Sequence, residues 1–520
     1  MNDRDGPPIA ASAPRPGEPG TTPVAHVTSR GTALQAAANL LSFVSGYFIH
    51  VVSARVLGPV SYGRFVVVLT ILLWVQRVQL GGIATTYGKL VSEDHRHLRA
   101  VANMLWRISL PIASGLALLL VLLSPLVAHY ADDRALIVPL LIGASHVVAG
   151  GLFGALARTF QGLHLFGRSA LLRCFRAIGR AGLILLAVLV GLGPAGAVTG
   201  HALGTALAAL AGWLLLRRFI EPAMPRRIEV GRRLLDVGLP ALLVTIGLAT
   251  LSAADLWTVS GLEPSKVARG TYAAGYQLAS VTRVGTVALA YVIFARLSAL
   301  MSQGRLAKAR SIFRQAQRVY LLAMVPLVVL MAVSGPALVR LVLSRQFAGA
   351  GGFFAVLFAS VGLWGFAVMH AQVPIGANRA WQAAAAILPL VAAGPVLMVL
   401  GYRGYGLIGT AWAALATGAV AAGVLFAVAW RHLRACPQVA TLVRTSAAAG
   451  AIGLVSAVAR TEGWLLVLQV LALLAGYGAL LWLLREFDEE DRRALAAVFS
   501  PLRRKARAAR GEDEEGGAGP

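Results

Sequence analysis

Arginine is the residue type with the clearest chemical consequence in this chain, because it interrupts stretches that are otherwise apolar. Arg77 and Arg283 each lie within an apolar run of about 20 residues, where inserting a charge costs about 2.5–3.5 kcal/mol. A guanidinium stays ionised, and its fork of N–H donors matches two phosphate oxygens at once. These residues are therefore predicted to bind a diphosphate group that must leave water.

The two arginines are expected at nearly the same depth. Arg77 lies fourteen residues after Gly63, and Arg283 lies thirteen residues after Gly270, which is about 20 Å along each helix. Tyr276 shares the helical face of Arg283. We therefore predict that Arg77, Arg283 and Tyr276 contact substrate at one site. The alternative is that each arginine reaches a membrane interface or bonds backbone carbonyls within its own half of the chain.

A second cationic stripe consists of Arg173, Arg176 and Arg180, which are spaced i, i+3 and i+7. Side chains at this spacing share one face of a helix. Arg176 and Arg180 are predicted to contact the substrate. Anchoring on inner-leaflet lipid explains the first two positions of the stripe equally well. Arg107 lies near the end of its apolar run, so snorkelling is favoured there.

Uncharged polar residues form a stripe along the first apolar segment, at Gln35, Asn39, Ser42, Gly46 and His50. Packing of small residues against a neighbouring helix accounts for part of this pattern. Gln35 and Asn39 are predicted to bind glycan hydroxyls, because an amide both donates and accepts hydrogen bonds.

Only one of the 22 acidic residues, Asp255, falls clearly inside an apolar segment, within a turn of its outer end. Pairing with an arginine, or capping the following turn, is favoured for Asp255 over a role in ion coupling. If transport is coupled to protons, the available groups are Asp255 and the histidines within apolar segments. These histidines are His146, His201 and His370. No cofactor or metal site is predicted, since the two cysteines form no CxxC motif.

The whole chain has the composition of a membrane protein. Its 520 residues are 58% hydrophobic and 13% charged, with a mean hydropathy of +0.73, which excludes an ordinary soluble domain. Fourteen apolar segments predict an all-α polytopic fold. They are residues 33–53, 62–84, 102–128, 135–157, 169–192, 195–216, 235–258, 271–295, 318–342, 351–375, 381–401, 405–430, 440–459 and 463–484.

The net charge of +25 follows membrane topology and is no nucleic-acid footprint. With a cytoplasmic N-terminus, 34 of the 47 Lys and Arg residues fall in cytoplasmic segments and 9 in external ones. This asymmetry is what the positive-inside rule describes. It predicts cytoplasmic N- and C-termini. The predominance of Arg over Lys and the abundance of Ala and Gly indicate a GC-rich bacterial genome, and therefore the bacterial cytoplasmic membrane.

An internal repeat divides the chain into two halves. Gly63-x-Phe65 aligns with Gly270-x-Tyr272 at an offset of 207 residues, and the segments that begin at Gly196 and Gly406 align at an offset of 210. Six spans per repeat give a parallel repeat. The predicted organisation is a disordered tail (1–31), an N-lobe (32–217), a basic linker (218–233), a C-lobe (234–434), two further spans (435–485) and a charged cytoplasmic tail (486–520).

Four stretches resemble one family of membrane proteins. They are Ser53-Ala-Arg-Val-Leu-Gly-Pro-Val-Ser-Tyr-Gly-Arg-Phe-Val, Asp255-Leu-Trp with Gly270-Thr-Tyr-Ala-Ala-Gly-Tyr-Gln-Leu, Leu343-Ser-Arg-Gln-Phe-Ala-Gly-Ala with Gly376-Ala-Asn-Arg, and Gly404-Tyr-Gly-Leu-Ile-Gly-Thr-Ala-Trp-Ala. Together they cover most of residues 33–430. The chain is similar to the O-antigen and polysaccharide flippases of the multidrug/oligosaccharidyl-lipid/polysaccharide exporter superfamily.

The resemblance implies two lobes around a central cavity that is lined mainly by helices 1, 2, 7 and 8. It also implies alternating access that moves a polyprenyl-diphosphate-linked glycan from the inner to the outer leaflet, with membrane lipids and glycan-assembly enzymes as further partners. Members that flip the peptidoglycan precursor tend to carry arginines in helix 1. The first segment here offers Gln35, Asn39 and His50 instead, which makes that substrate less expected.

Two other functions remain as alternatives. A multidrug or metabolite exporter of the same superfamily would want an acidic coupling residue deep within a lobe. An intramembrane polysaccharide polymerase or glycosyltransferase needs a large external loop or a carboxylate/His group at a membrane face. Neither feature is apparent, so no catalytic residue is predicted and the chain is expected to be a transporter rather than an enzyme.

Overall fold

The computed structural model describes residues 24–79, 87, 90–91, 95–222, 239–459 and 461–487. Within these residues every regular element is a helix. Most of the predicted N-terminal tail, most of the basic linker and most of the charged C-terminal tail lie outside the described residues. The same holds for residues 492–510, where the alternation of Arg with apolar residues predicts either an interfacial helix or, equally, a solubilising basic tail.

Fourteen α-helices follow one another along the described residues. They are α1 (Val24–Gln79), α2 (Leu98–Met104), α3 (Leu110–Tyr130), α4 (Ile137–Gly162), α5 (Phe166–Leu189), α6 (Gly193–Leu216), α7 (Leu239–Leu262), α8 (Lys266–Ala279), α9 (Arg283–Ser302), α10 (Leu306–Val342), α11 (Gly351–Gly376), α12 (Ala380–Leu433), α13 (Val439–Val458) and α14 (Trp464–Leu483). Each predicted apolar segment overlaps at least one of these helices, which confirms the all-α fold class.

Two helices contain two predicted spans each, because a glycine breaks them. In α1 the break is at Gly58, with φ of 69° and ψ of 174°, and Pro59 follows directly. Glycine adopts positive φ without a steric penalty, and proline cannot donate the next helical hydrogen bond. The two limbs of α1, residues 24–57 and 59–79, fold back on each other. In α12 the corresponding break is at Gly406, with φ of 60°.

The lengths of the helices fit a bilayer. Ten helical stretches among the described residues are long and apolar enough to cross a membrane, and two of them include the breaks in α1 and α12. The arginine-rich α5 is not one of the ten. Helices α8 and α9 form a single predicted span that a 3-10 turn, Ser280–Thr282, interrupts. A π-helical turn, Leu105–Ser109, joins α2 to α3 in the same way.

The helices pack as two lobes with α13 and α14 added to one of them. In the N-lobe, α5 packs on α1 and α6, and α6 also packs on α4. In the C-lobe, α12 packs on α7 and α11. The lobes meet where α1 contacts α7 and α8. The site described below lies at this meeting of α1 with the C-lobe.

The two C-terminal helices pack against α10. The carboxylate of Glu486, which follows α14, forms hydrogen bonds with both α10 and α13. Glu486 accepts from Arg318 Nε at 2.9 Å, from Arg444 Nη1 at 3.2 Å and from Thr441 Oγ1 at 2.7 Å. Its side chain is buried, and burial alone would raise its pKa. The three hydrogen bonds outweigh burial and hold the pKa of Glu486 below its usual range.

Candidate functional site

A cavity of about 200 Å³ lies between α1, α5, α6 and the start of the second half of the chain. Both limbs of α1 line it, as do α5, α6, α8 and the 3-10 turn that follows α8. Its polar lining residues are Ser42, Tyr47, His50, Arg180, His201, Gln277 and Ser280, and the other lining residues are apolar or glycine. Among the described residues that line this cavity there is no carboxylate.

Glycines bring the cationic side chain Arg180 into the cavity. On α6, a Cβ at Gly204 would lie 2.6 Å from Arg180 Cα, and one at Gly200 would lie 2.6 Å from the Leu183 carbonyl carbon. Such small residues four apart let two helix backbones pack directly against each other. On α1, a Cβ at Gly46 would lie 3.4 Å from Arg180 Nη2. The guanidinium therefore reaches the wall that α1 forms.

The cavity is electropositive. Arg180 Nε is buried and has no hydrogen-bond partner among the described residues. His50, on the same wall, has its Nδ1 atom 3.2 Å from the Tyr62 hydroxyl. A buried cation without a carboxylate partner is costly unless an anion joins it. The arrangement is therefore suited to a ligand that carries phosphate and hydroxyl groups.

The rest of the predicted arginine stripe lies next to this cavity. Arg176 stacks over the Phe153 ring, with its Cζ atom 4.7 Å from the ring centroid. This cation–π contact holds the guanidinium inside the N-lobe. Arg173 lies two turns of α5 from Arg180 and is half-buried. Of the predicted site residues on α5, only Arg180 lines the cavity, and substrate contact by Arg176 stays a prediction.

Arg283 is fastened within the C-lobe. Its Nη2 atom donates to the Ser252 carbonyl at 3.2 Å and to the Tyr276 hydroxyl at 3.0 Å, and Tyr276 itself donates to Ser252 O at 2.9 Å. Although the 3-10 turn Ser280–Thr282 lies between them, Tyr276 and Arg283 lie on one face, because their side chains are hydrogen-bonded to each other. Ser280 faces the cavity, whereas Tyr276 and Arg283 contact α7.

Arg77 lies near Arg283 without lining the cavity described here. Its side chain is exposed, and its charge acts on the Tyr276 hydroxyl, as does the charge of Arg283. Convergence of the two arginines on one substrate site, which the repeat predicts, stays a prediction. The side chains of residues 284–288, which follow Arg283, lie outside the described part. Substrate contact by Arg77, Arg283 and Tyr276 stays a prediction.

The two amides predicted to bind glycan lie at the far end of the first limb of α1. Gln35 donates to the Phe166 carbonyl at 2.9 Å and accepts from Gln161 at 3.3 Å, so it joins α1 to α4 and α5. Asn39 is exposed, one turn further along α1. Neither lines the cavity described here. Their proposed contact with glycan remains a prediction.

Asp255 is a buried carboxylate, 4% exposed, in α7. It accepts a hydrogen bond from the Tyr272 hydroxyl at 3.0 Å, and its Oδ1 atom has no partner among the described residues. No ion pair with an arginine is present among the described residues, although the charge of Arg283 acts on it. The polar partner of Asp255 is therefore Tyr272 of the next helix, a pairing that was not predicted from the sequence.

Two glycines, one from each half of the repeat, bring α1 and α8 into direct contact. A Cβ at Gly63 would lie 2.7 Å from Gly270 Cα, and a Cβ at Gly270 would overlap the Pro59 carbonyl. These glycines are the pair that the 207-residue offset aligns. Only residues without a side chain allow the two backbones to approach so closely. We call this region, Gly63 with Gly270, the glycine closure.

Polar contacts surround the glycine closure. Asp133 accepts from Arg64 Nε at 2.7 Å and from Arg64 Nη2 at 3.0 Å, a bidentate pair within the N-lobe. Lys266 of the C-lobe lies 3.8 Å from the same carboxylate. Arg269 donates to the backbone carbonyl of Ala131 across the two lobes. Asp133 therefore links the two lobes next to the glycine closure.

Two tryptophans, one from each lobe, donate hydrogen bonds to threonines of the opposite lobe. Trp74 of α1 donates to Thr250 Oγ1 of α7 at 2.9 Å, and Trp257 of α7 donates to Thr70 Oγ1 of α1 at 3.4 Å. Their rings meet edge to face, with centroids 6.2 Å apart. This exchange follows the pseudo-symmetry of the two halves.

His201, one of the histidines that the sequence offered for proton coupling, lines the cavity between Gly200 and Gly204 of α6. Tyr47 and Gln277 also line it and were not predicted. Asp133 and Arg64 gave no signal, because their pairing joins positions 69 residues apart. Among the described residues no group of three or more His, Cys, Asp or Glu is arranged to hold a metal ion.

Comparisons with known proteins concern the fold of the chain and its family. Among solved structures, the chain is similar to one described as "Lipid II flippase MurJ, inward closed conformation", with a TM-score of 0.68 and 14% identity over 90% of this chain and 99% of that chain. It is also similar to a multidrug resistance MATE family transporter of the MOP superfamily, with a TM-score of 0.57 and 13% identity over 77% of this chain and 98% of that chain. A MOP superfamily transporter from Pyrococcus furiosus has a TM-score of 0.58 and 14% identity, over 80% and 99% of the two chains.

At these identities the likeness establishes the fold alone. No curated protein matches the chain. A family model described as "Polysaccharide biosynthesis protein" matches residues 29–301, which is more than half of the chain. The chain therefore belongs to the polysaccharide biosynthesis protein family, with the fold of the MurJ and MATE transporters.

Proposed function

We propose that this protein moves a polyprenyl-diphosphate-linked oligosaccharide from the inner to the outer leaflet of a bacterial cytoplasmic membrane by alternating access. No bond of the substrate is made or broken in this step. The family assignment supports a role in polysaccharide biosynthesis, and the many apolar helices support transport across a bilayer. The chemistry of the cavity supports the diphosphate.

One observation carries the proposal: Arg180 presents a buried and unpaired Nε to a cavity between the lobes. A diphosphate diester carries two negative charges and offers the acceptor oxygens that a guanidinium pairs with best. Ser42, Gln277 and Ser280 on the opposite side of the cavity are suited to sugar hydroxyls. The polyprenyl chain would remain in the lipid outside the bundle.

The charge distribution of the loops indicates which side of the membrane the glycine closure faces. If the basic segments are cytoplasmic, the connections between α3 and α4 and between α7 and α8 face outward. The glycine closure then seals the cavity from the outside, and the substrate enters from the cytoplasmic leaflet. Separation of Gly63 from Gly270, with loss of the Asp133–Lys266 contact, would open the outer side.

The cavity argues against a multidrug exporter of cationic compounds. Among the described residues its wall carries the charge of Arg180 and no carboxylate, so a cationic drug would be repelled. The similarity to a lipid II flippase concerns the fold. The first limb of α1 contributes Ser42 and His50 to the cavity and no arginine, which favours a glycan other than the peptidoglycan precursor.

Reconstituted vesicles test the proposal directly. We would place a polyprenyl-diphosphate oligosaccharide with a fluorescent NBD-labelled sugar in proteoliposomes and follow the reduction of outward-facing label by dithionite. The wild-type protein should accelerate access to the inner-leaflet pool. Arg180→Gln should slow this rate by at least about tenfold, because a hydrogen bond to a charged group contributes about 1.5–3 kcal/mol.

Two controls sharpen the result. Arg180→Lys keeps the charge without the bidentate fork, and it should fall between wild type and Arg180→Gln. Arg107→Gln removes an exposed arginine of the π-helical turn and should leave the rate unchanged. Transport of the labelled glycan at the rate of protein-free vesicles would refute the proposed function. A wild-type rate for Arg180→Gln would refute the assignment of the diphosphate to Arg180.

A further inference from the structure

Two histidines of the N-lobe form a buried pair that the proposed transport mechanism has not used. His146 of α4 is 0% exposed and His201 of α6 is 2% exposed, and their ring centroids lie 4.2 Å apart. The ring of His146 lies against the backbone of His201, but neither of its nitrogens, nor the Nε2 atom of His201, has a partner with full hydrogen-bond geometry among the described residues. Unpartnered buried imidazoles are costly, so their retention calls for a second state in which they are satisfied.

The third histidine that the sequence offered for proton coupling differs from this pair in its hydrogen bonds. His370 of the C-lobe is also 0% exposed, but its Nε2 atom is 2.8 Å from Gln317 Nε2 and its Nδ1 atom is 2.8 Å from the Phe366 carbonyl. Both of its ring nitrogens therefore have partners. His370 is a satisfied core residue, and it provides a matched control for the pair in the N-lobe.

The surroundings of the pair are cationic. From α5, the charges of Arg176 and Arg180 act on both imidazoles, and Arg173 lies next to Arg176. From the first limb of α1, His50 acts on His201. Among the described residues, the other elements place no carboxylate close to the pair. The second limb of α1 contributes the amide of Gln76, and the titratable residues of α3, His129 and Tyr130, lie in the last turn of that helix.

The pair is in contact with the diphosphate site through His201 and Arg180, which both line the cavity. While the cavity holds no anion, the two guanidiniums oppose a further positive charge on the imidazoles. A diphosphate against Arg180 cancels that opposition. Binding of the anion and uptake of a proton by the pair must then favour each other, because a coupling free energy between two sites is reciprocal.

We propose that His146 and His201 together form a proton-binding site, and that occupation of the cavity by a diphosphate drives proton uptake there. This inference rests on the proposed function, because the anion that triggers uptake is the diphosphate of the transported lipid. The proton binds to one of the free ring nitrogens, and the other ring accepts or donates across the pair. Part of the negative charge of the substrate is thereby neutralised during its passage.

Calorimetry with a non-titrating probe tests the proposal. The probe is a farnesyl diphosphosugar, a diphosphate diester that has no titratable group between pH 5.5 and 8, and the protein is the full chain in nanodiscs. Titrations in two buffers of different ionisation enthalpy give the number of protons taken up on binding. Wild type should take up a fraction of a proton to one proton, and Kd should rise with pH by up to about tenfold per unit.

The variants are His146→Gln with His201→Asn, His370→Gln as the matched control, and His50→Gln as the competing cavity histidine. The double variant should bind the probe with no proton uptake and a Kd that is flat with pH. His370→Gln should behave as wild type. Unchanged uptake in the double variant, or loss of uptake in His50→Gln alone, would overturn the proton site while leaving the diphosphate site intact. Failure of the wild type to bind the probe at any pH would overturn the proposed function as well.

Discussion

The glycine closure offers the sharpest test of alternating access in this chain. Gly63→Ala adds one methyl group whose carbon would lie 2.7 Å from Gly270 Cα and 3.1 Å from Gly270 N. Ordinary contacts between such atoms are about 3.5–4.0 Å, so the two helices must separate by about 1 Å. Forcing an extra carbon into a packed interface costs about 1–3 kcal/mol. Gly270→Ala should cost more, because its Cβ would overlap the Pro59 carbonyl.

This cost falls on the closed state alone, because the two backbones are apart when the outer side is open. A shift of about 1–3 kcal/mol changes a two-state equilibrium about 5–150-fold. We would measure it by labelling Ser280→Cys, a cavity position, with a membrane-impermeant maleimide in a background that lacks Cys174 and Cys436. The labelling rate from outside should rise by at least about fivefold in Gly63→Ala.

Gly179→Ala is the matched control, because a Cβ at this position of α5 meets nothing within 4 Å. It should leave the labelling rate unchanged. The reasoning would be refuted if Gly63→Ala and Gly179→Ala gave the same rate. It would also be refuted if the maleimide reached Ser280→Cys faster from the cytoplasmic side alone, since the closure would then face the other way.

Three further predictions concern polar contacts. Arg64 holds the pKa of Asp133 below its usual range against the effect of burial. The link that Asp133 makes between the lobes therefore persists at neutral pH and is lost as the pH falls through that lowered pKa. Asp133→Asn should raise the external labelling rate of Ser280→Cys at pH 7, and an unchanged rate would contradict the link. Glu486→Gln should lower the free energy of unfolding by about 2–3 kcal/mol, measured by thermal unfolding, whereas Glu462→Gln, in an exposed pair, should change it little. Arg283→Ala should slow glycan transport in the vesicle assay, and a wild-type rate would remove Arg283 from the site.

Much of the architecture was predictable from the sequence because the bilayer imposes its own rules. A helix must be apolar over about 20 residues to cross the hydrocarbon, so fourteen segments stood out without any knowledge of their packing. The gap between the first two apolar segments predicted a break, and the structure places it at Gly58, where local backbone sterics allow it. The repeat offset paired Gly63 with Gly270, and the structure places these two glycines in direct contact.

The site was only partly predictable, because a sequence gives the spacing of side chains and not the rotation of each helix. The sequence did not reveal that the Arg283 guanidinium bonds to the Ser252 carbonyl of another helix. Arg180 lines the cavity because Gly204 lets α5 and α6 approach closely. Gln35 bonds to Phe166, a partner 131 residues away that its own neighbours do not reveal.

For this protein, the sequence by itself determined the number of spans, the breaks between them and the family, because these depend on local composition and backbone geometry. Only the tertiary structure decided which charges meet in the cavity and which are fastened inside a lobe. The physical reason is that hydrogen bonds and charge pairing act over a few ångströms, between helices whose mutual rotation depends on packing across the whole bundle. Among the described residues, that packing also leaves Arg180 Nε, His201 Nε2 and the ring nitrogens of His146 without hydrogen-bond partners.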